Sequence, residues 1–378
     1  MSSQDLTLAP IGVQVHVFRY PVSTPVRTSF GSLHHRPAVF VRVEDASGAH
    51  GWGEVWCNFP PGGDRHRAQL VETVLAPLLV GARFESPRAV FDRLCAATAV
   101  LAIQSGEPGP FAHAIAGVDL ALWDLLARRH GEPLWRFLGG TTDEIGVYAS
   151  GINPDGVRET VAGARAAGYR AFKLKIGFDP DRDIENLREA TAAAGDGATV
   201  MVDANQAWDL SQAQAMVERL AAFELGWIEE PLRADRPWSE WQSLEPHARA
   251  PLAAGENVAG EAGFEALLRA GAVGVVQPDF AKWGGISAGL PLVRRILDTG
   301  RRFYPHYLGG GIGLLHSGHL LAASGAAGLL EVDVNDNALR TLACGRIASV
   351  ENGRVSLGDA PGIGIEPDLQ RLRAACPG

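Results

Sequence analysis

The sequence predicts an α/β protein in which a barrel of parallel strands follows a smaller α+β unit. From residue 146 onward, strand-like segments alternate strictly with amphipathic, Ala-rich helical segments. Seven of the strand-like segments end on a lysine, an acid or a histidine. Successive end residues lie 23 to 28 positions apart, roughly the length of one strand, one helix and two loops. In a closed barrel they would meet at the C-terminal mouth, where barrel enzymes keep their chemistry. These end residues are Lys175, Asp203, Glu229, Glu256, Asp279, His306 and Glu331.

The first third of the chain, residues 1–140, lacks this alternation and predicts an α+β unit. Three segments are β-branched or alternate in polarity, and a turn is expected at 45–48, so they predict an antiparallel meander. These segments are 11–22, 38–44 and 50–55. Apolar residues at helical spacing then predict helices over 67–80, 86–100 and 112–130.

Residues 141–345 contain eight predicted strands with seven connections. The strands are expected at 146–152, 170–177, 199–205, 226–230, 251–256, 274–279, 302–306 and 328–333. Helices between them are expected at 156–167, 181–194, 211–224, 262–270, 287–299 and 313–324. No comparable helix follows the eighth strand. Residues 347–366 instead contain extended segments and turns that could return to the first unit.

Composition and charge favour a small-molecule ligand. The 378 residues carry a formal charge of −9 without a run of Lys or Arg, so nucleic acid has little to bind. Cys57, Cys95, Cys344 and Cys376 include no C-x-x-C pair, which suits reduced thiols in the cytosol. The N-terminal residues lack a basic region followed by an apolar one, so no secretory signal is expected. No stretch of about 18 apolar residues is found, which argues against a membrane span. The sequence predicts a soluble, cytoplasmic protein.

Asp203, Glu229 and Glu256 end three consecutive predicted strands, which would place three carboxylates side by side on the barrel rim. Three such anions repel one another unless a cation lies among them. Mg²⁺ fits, because it takes carboxylate oxygens and keeps positions open for substrate, whereas zinc would recruit His or Cys. A single acid at a strand end would more often be a helix N-cap or a surface ion pair. Glu230 should face the other way by strand alternation.

Lys173 and Lys175 are two residues apart, so both should point into the barrel and its mouth. A lysine beside a divalent cation and a second lysine is a competent base near neutral pH. The alternative is that both lysines only neutralise the carboxylates. His306 and Asp279 end adjacent strands and predict an imidazole–carboxylate dyad that accepts or donates a proton. Lys175 and His306 should approach a substrate from opposite faces, which suits inversion at a carbon or proton removal followed by loss of a protonated hydroxyl.

Several motifs resemble the mandelate racemase branch of the enolase superfamily, and they cover nearly the whole chain. They are V-D-L-A-L-W-D-L at 118–125, V-D-A-N at 202–205, W-I-E-E-P at 227–231, G-E-N at 255–257, P-D-F-A-K-W-G-G at 278–285, P-H-Y at 305–307 and P-G-I-G-I-E at 361–366. The resemblance implies a modified TIM barrel, (β/α)7β, with an α+β capping domain built from both chain ends. Residues 346–378 would then return to the cap. Members assemble as symmetric oligomers, so we expect a homo-oligomer.

The resemblance also implies a role for each site residue. Members abstract the proton α to a carboxylate, and Mg²⁺ with nearby cations stabilises the enediolate that forms. The implied Mg²⁺ ligands are Asp203, Glu229 and Glu256, and the implied bases are Lys175 and the Asp279–His306 dyad. The implied substrate contacts are Lys173 and Glu331 at the carboxylate, Asn205 near the α-hydroxyl, and Lys282 as a further lysine of the site.

Two cap segments, 22–36 and 55–64, would close over the substrate, since both are rich in Gly, Pro and polar residues as mobile lids are. Residues 307–313 are glycine-rich and would leave room for a polyol chain beside the dyad. The cap side chains that could bind hydroxyls or a second carboxylate are Arg27, His34, His35 and Arg36, and those that could exclude water are Trp56 and Phe59. His316 and His319 lie in an apolar helix and are expected to pack rather than bind metal.

We therefore expect a Mg²⁺-dependent lyase whose substrate is a small-molecule carboxylate, an acid sugar that is dehydrated to a 2-keto-3-deoxy acid. The polar cap segments favour dehydration over racemisation of an aromatic hydroxy acid. A racemase or epimerase that uses the same groups is the close alternative. A non-catalytic binding protein would not need opposed proton-transfer groups, and a metal-assisted aldolase would not need bases on two faces.

Overall fold

The computed structural model describes residues 5–29 and 31–376. Within these ranges the N-terminal part forms an antiparallel sheet in the order β1-β2-β3. The strands span Pro10–Thr28 (β1), Gly31–Asp45 (β2) and His50–Val55 (β3), which confirms the predicted meander. The prediction of a loop at 22–36 is wrong, because most of these residues extend the β1–β2 hairpin past an irregular register between Pro21 and Val26. β-Branched residues at every second position from 22 to 28 favour the extended strand.

The helices of this unit follow the sheet in the chain. They span Gly63–Leu70 (α1), Ala76–Leu79 (α2), Pro87–Ser105 (α3), Pro108–Arg129 (α4) and Leu134–Phe137 (α5). The side chain of Ser86 caps α3 by accepting a hydrogen bond from Ala89 N. The helix ends at Gly106, which adopts a left-handed backbone conformation.

Helix α4 packs against β3 and forms the centre of the cap. Gly53 permits the close approach, since a Cβ at this position would lie 2.0 Å from the carbonyl oxygen of Gly117. Because side chains alternate along a strand, Glu54 points to the opposite side, where it contacts Gly310 of the barrel. By length and composition α4 could cross a membrane, a feature that the sequence prediction missed. However, 78% of its apolar window is buried inside the protein, as in a core helix.

Over the described part of the chain, eight parallel strands form the barrel in the order β10-β9-β8-β7-β6-β5-β4-β11. They span Glu144–Ile152 (β4), Ala171–Lys175 (β5), Thr199–Asp203 (β6), Leu225–Glu229 (β7), Leu252–Ala254 (β8), Val275–Val276 (β9), Arg302–Phe303 (β10) and Leu329–Asp333 (β11). The last of them, β11, pairs in parallel with the first, β4. The predicted fold class, an α/β barrel with an α+β cap, is confirmed.

Each connection between consecutive barrel strands contains a helix, as the alternating pattern predicts. These helices span Val157–Ala166 (α6), Pro180–Ala194 (α7), Leu210–Leu220 (α8), Trp238–Leu244 (α9), Gly260–Ala270 (α10), Gly285–Asp298 (α11) and Gly311–Ser324 (α12). The short α9 has no counterpart among the predicted helices. After β11 the chain forms a single helical turn, Ala338–Thr341 (α13).

The C-terminal residues contact both the barrel and the cap. Strand β12 (Arg354–Ser356) pairs antiparallel with β4 of the barrel. Beyond it, Ile363 N donates a hydrogen bond of 2.7 Å to Asp124 of α4, and the helix Leu369–Ala374 (α14) follows. The chain therefore reaches the cap only after adding a strand to the barrel sheet.

A buried carboxylate joins α4 to the barrel. Asp119 Oδ2 accepts hydrogen bonds from Ile286 N at 2.7 Å and Ser287 N at 2.9 Å, at the start of α11. The other oxygen, Oδ1, has no hydrogen-bond partner among the described residues. Burial raises the pKa of Asp119 to about 7, because it outweighs the hydrogen bonds that favour the charged form.

Asp119→Asn is expected to change how stability depends on pH. Asparagine keeps one oxygen for both N–H groups but does not titrate. The folded protein holds the Asp119 proton more tightly than the unfolded chain does, so wild-type stability falls as the pH rises from about 4 to about 7. Relative to the variant, the wild type should lose about 2.5 kcal/mol between pH 5 and pH 8. Urea unfolding followed by circular dichroism measures this difference, and an equal pH dependence of the two proteins would contradict it.

Candidate active site

The polar strand-end residues converge on one cavity of about 300 Å³ at the C-terminal mouth of the barrel. The end residues of β5, β6 and β7 are paired in register: Lys175 lies opposite Asp203, and Asp203 lies opposite Glu229. Strands β8, β9 and β10 are shorter than predicted. Glu256, Asp279 and His306 therefore lie two or three residues beyond the ends of these strands. The members of this set that line the cavity are Lys175, Asp203, Glu256, His306 and Glu331.

Lys173 is a buried cation that contacts the acidic cluster but is not among the residues that line the cavity. Its Nζ is 2.7 Å from Glu229 Oε1, 2.8 Å from Glu331 Oε1 and 3.8 Å from Asp203 Oδ2. Burial alone would lower its pKa, but the charges of Glu229 and Glu331 outweigh burial and raise the pKa well above its usual value. Lys173 therefore supplies positive charge rather than a free base.

Lys175 lines the cavity at the end of β5. Its Nζ donates to Asn205 Oδ1 at 2.7 Å and lies 3.8 Å from Asp203 Oδ2. Asn205 in turn donates to Asp203 from its backbone N at 2.8 Å and from Nδ2 at 2.9 Å. The cap reaches this cluster too, since the Ser29 hydroxyl donates to Asn205 O at 2.7 Å. These contacts hold Lys175 on one side of the mouth.

Glu229 accepts hydrogen bonds from its own strand and from the segment that follows β9. Its Oε2 accepts from the Trp227 indole at 3.0 Å and from Gln277 Nε2 at 2.7 Å. Burial raises the pKa of Glu229 to about 7; Lys173 opposes this shift, and the negative charges of neighbouring acids, with Asp203 first among them, add to it. A cation among these acids would relieve that repulsion.

The three predicted ligands suit a hard divalent cation in their chemistry, as oxygen donors on consecutive strands. Among residues 5–29 and 31–376, however, no three His, Cys, Asp or Glu side chains are already arranged as a coordination set. Instead, oxygens of the three acids contact Lys173, Asn205 and His306. In this part of the chain, four side chains are therefore the cationic partners of this acidic cluster: Lys173, Lys175, Lys282 and His306.

His306 and Asp279 form the predicted dyad at the other side of the mouth. His306 Nδ1 lies 2.8 Å from Asp279 Oδ2, while Asp279 Oδ1 accepts from Ala281 N at 2.9 Å and Lys282 N at 3.1 Å. His306 Nε2 faces Glu256 Oε2 at 2.6 Å. Burial alone would lower the pKa of His306, but Glu256 and Glu331 raise it well above its usual value. This shift favours the protonated imidazole, which lines the cavity with Nε2 towards Glu256.

Glu256 lies between two cationic side chains, His306 and Lys282. Burial would raise its pKa, yet the charges of His306 and Lys282 hold the pKa well below its usual range. Lys282 Nζ lies 3.6 Å from Glu256 Oε2 and 3.1 Å from Asn257 Oδ1, and it stacks 4.6 Å from the centre of the Trp56 ring. Lys282 and Trp56 both line the cavity.

Glu230 does not line the cavity, but the prediction that it faces away from the acidic cluster is wrong. Its backbone adopts φ +40°, which breaks the strand alternation directly after Glu229. The Glu230 carboxylate is buried and accepts from Asn257 Nδ2 at 2.9 and 3.0 Å. Burial raises its pKa well above the usual value, and the charges of Glu256 and Asp203 add to this shift. Glu230 is thus a further acid beside the cluster.

The structure does not bring Arg27 to the cavity, contrary to the prediction. Arg27 Nη1 pairs with Asp155 at 2.5 Å on the surface, with about half of its side chain exposed. Because β1 alternates, its neighbours Val26 and Thr28 line the cavity instead. The other polar cap candidates also lie elsewhere: Arg36 is buried against Asp333, and His34 and His35 line a separate cavity.

The cap wall of the cavity is largely apolar. It consists of Val26, Thr28, Trp56 and Phe59, with Leu308 of the barrel beside them. Arg67 fixes the segment that carries the two aromatic rings, donating to Phe59 O at 2.9 Å and Gly63 O at 3.0 Å. The expectation that residues 307–313 leave room for a polyol is wrong, since Tyr307 and Glu54 fill the space beside these glycines.

Sequence reasoning missed two residues that hold the acids in place. Ser150 donates its hydroxyl to Glu331 and lines the cavity, and Gln277 binds Glu229. Gln277 lies two residues before Asp279, so the alternation used for Lys173 and Lys175 would have indicated its position. Ser150 lies near the end of the first barrel strand. This strand contributes no residue to the series of charged strand ends, so the spacing gave no signal for Ser150.

The fold and the site define a class of protein: a capped α/β barrel whose mouth holds an acidic cluster between a lysine and a histidine. Two family models match the chain. The mandelate racemase / muconate lactonizing enzyme N-terminal domain matches residues 11–139, and the enolase C-terminal domain-like model matches residues 156–371. The chain belongs to the mandelate racemase and muconate lactonizing enzyme family of the enolase superfamily, as the motifs predict.

Relatives in this family include acid-sugar enzymes. A solved mandelate racemase/muconate lactonizing enzyme from Bordetella bronchiseptica is 56% identical, with a TM-score of 0.93 over 98% of this chain and 100% of that chain. D-galactarolactone cycloisomerase from Agrobacterium fabrum is 29% identical over 95% of this chain and 97% of its own length. Arabinonate dehydratase from Saccharolobus solfataricus is 27% identical over 88% of each chain. Solved relatives also include a racemase with bound magnesium.

Proposed function

We propose that this protein is a Mg²⁺-dependent enzyme that removes the proton α to a carboxylate and dehydrates an acid sugar to a 2-keto-3-deoxy acid. One observation carries the proposal. Lys175 and the imidazole Nε2 of His306 border the same cavity from β5 and from beyond β10, with the acidic cluster between them. The relatives that act on sugar acids support the substrate class.

The floor of the cavity would bind the substrate carboxylate. Lys173, fixed between Glu229 and Glu331, offers the positive charge, and Asn205 lies beside Lys175 where an α-hydroxyl would come. Mg²⁺ held by Asp203, Glu229 and Glu256 would supply the remaining charge that stabilises the enediolate. Trp56 and Phe59 would exclude water from the reacting carbon.

The two proton-transfer groups divide the reaction between them. Lys175 Nζ accepts the C2 proton, and the C2–H electrons enter the enediolate. As the enediolate collapses, the C3–O bond breaks, and His306 Nε2 gives its proton to the departing hydroxyl, which leaves as water. Asp279 holds the imidazole through Nδ1 during this transfer. The enol that remains tautomerises to the 2-keto-3-deoxy acid.

Incubation in D₂O with aldonic, aldaric and uronic acids and Mg²⁺ tests this proposal. Formation of a keto acid, detected with semicarbazide, is the expected result for at least one acid. If deuterium enters C2 while every hydroxyl is retained, the protein is a racemase or epimerase instead. If none of these acids exchanges its C2 proton or forms a keto acid, the proposal is contradicted and a non-catalytic binding protein becomes the better interpretation.

A racemase or epimerase of a 2-hydroxy acid is the second candidate, and the apolar cap wall favours it. The polar cap residues that argued for dehydration do not line the cavity, whereas Trp56 and Phe59 do. Lys175 and His306 would then exchange the C2 proton from opposite faces without loss of a hydroxyl.

Mg²⁺ should stabilise the folded protein through the acidic cluster. A cation that binds the native state and not the unfolded chain raises the unfolding temperature. We expect a rise of about 2–4 °C in 5 mM MgCl₂ over EDTA. Glu256→Gln should abolish most of this rise, while Glu261→Gln, an exposed acid on α10, should keep it. Equal shifts in the two variants would contradict the proposed ligand.

A further inference from the structure

The buried carboxylate of Glu54, on β3 of the cap, reaches the barrel next to the dyad. Its Oε1 accepts from Gly310 N at 2.5 Å and its Oε2 accepts from Gly313 N at 2.8 Å. Both amides belong to the start of α12, where free N–H groups and the helix dipole favour an anion. Glu54 is 1% exposed, so this carboxyl group lies inside the protein. The cap therefore places a buried carboxyl group at the N-terminus of a barrel helix; burial raises the pKa of Glu54 to about 7, although the hydrogen bonds from Gly313 N and Gly310 N lower it.

The segment that Glu54 holds begins at His306. Four residues separate His306 from the first residue of α12, Gly311, so a shift of this helix end is carried directly to the imidazole. The glycines between them allow the carboxylate to approach. A Cβ at Gly310 would lie 2.8 Å from Glu54 Oε1, and one at Gly309 would lie 2.4 Å from the Tyr307 hydroxyl oxygen.

Other contacts restrain the same segment. From the cap, Asn58 Nδ2 donates to Leu308 O at 2.5 Å. From the barrel side, Asn337 Nδ2 donates to Gly309 O at 2.9 Å, and Tyr307 N donates to Glu331 at 3.3 Å. Within this set Glu54 is the side chain that binds two backbone amides, those of Gly310 and Gly313.

We propose that Glu54 is a positioning residue for His306: the cap sets the place of the imidazole by binding the chain that follows it. The inference relies on the proposed function only in treating His306 as the proton donor. The cap would then not only line the cavity but also fix the position of His306, one of the two proposed proton-transfer residues.

Only a carboxylate satisfies both amides. Gly310 N and Gly313 N bind different oxygens, so a glutamine at position 54 would accept from one amide and present its own N–H group to the other. The unsatisfied buried amide should displace the helix start. An aspartate keeps both oxygens on a side chain that is one methylene shorter, and it should restore part of the geometry.

Asp124 provides a matched control on the same cap. It is buried, and its two oxygens accept from different backbone amides, those of Ile363 and Trp52, at 2.7 Å each. Asp124→Asn therefore removes the same kind of contact as Glu54→Gln, and it also removes the ion pair between Asp124 and Arg128 at 2.8 Å. Its backbone partners, Ile363 and Trp52, lie outside the segment from His306 to Gly313, although Trp52 O lies 2.8 Å from His316 Nε2 on α12. The variant therefore measures the effect of losing a buried carboxylate of the cap that does not bind this segment.

The experiment compares Glu54→Gln, Glu54→Asp and Asp124→Asn by turnover and by ¹⁵N NMR of histidine-labelled protein at fixed pH. The His306 signals are assigned by their absence in His306→Asn. We expect Glu54→Gln to lower kcat about 10- to 100-fold with KM within about 3-fold, because a small misplacement of the donor affects the chemical step. The His306 shifts should move in Glu54→Gln, recover partly in Glu54→Asp and stay unchanged in Asp124→Asn.

Two results would overturn the inference. One is an unchanged His306 signal in Glu54→Gln together with wild-type kcat; the other is an equal loss in Asp124→Asn. If Glu54→Gln does not fold, the His306 shifts of Glu54→Asp decide in its place. Should the wild type turn over no acid at all, the proposed function fails, but the NMR comparison still decides whether Glu54 positions the imidazole.

Discussion

Lys175→Met is expected to abolish both dehydration and exchange of the C2 proton. The proposed reaction begins at Lys175 Nζ, and the neighbouring Lys173 is not free to replace it. Lys173 is bound between Glu229 and Glu331, and its pKa is raised well above the usual value, so it stays protonated. Loss of a general base typically costs 10²- to 10⁴-fold, and we expect at least about 10³-fold here.

The measurement is deuterium incorporation at C2 in D₂O, followed by ¹H NMR, beside keto-acid formation. Arg188→Met, which removes an exposed cation on α7 paired with Glu185, is the control and should keep full activity. Exchange at the wild-type rate in Lys175→Met would show that the C2 proton leaves towards another group.

His306→Asn is expected to separate the two halves of the reaction. Lys175 should still remove the C2 proton and return deuterium to the same face, so exchange persists. Without the Nε2 donor, the hydroxyl has to leave unprotonated, and dehydration should fall by about 10³-fold or more. His247→Asn, at an exposed position, is the control.

The pattern of the two variants carries more information than either loss alone. Exchange without dehydration in His306→Asn, and neither in Lys175→Met, assigns base and acid to opposite sides. If His306→Asn shows neither deuterium exchange at C2 nor dehydration, the imidazole is the base, and the roles of Lys175 and His306 must be reversed.

The sequence predicts the barrel and the members of its acidic cluster because their spacing follows from geometry. Parallel strands end at one edge, so a side chain repeated at every strand end must converge. This argument tolerates errors in strand length: β8, β9 and β10 end before Glu256, Asp279 and His306, yet these residues still meet at the mouth. Alternation fails only where the backbone leaves the strand, as at Glu230 with φ +40°.

The cap was harder to predict, because polarity is a poor guide to which residues face a cavity. Arg27 looked suited to a substrate hydroxyl, but its place in the extended β1 turns it outward and Val26 and Thr28 inward. Nothing local predicts the contact between Glu54 and Gly310 either, because 256 positions separate the two residues along the chain. Contacts between distant segments become visible only once both have folded.

A crystal structure with Mg²⁺ and a slowly reacting acid sugar tests the central claim most directly. We predict one cation bound by Asp203, Glu229 and Glu256, with the substrate carboxylate at Lys173 and with Lys175 Nζ and His306 Nε2 on opposite faces of the α-carbon. A complex in which the cation lies elsewhere, or in which both nitrogens face the same side of that carbon, would contradict it.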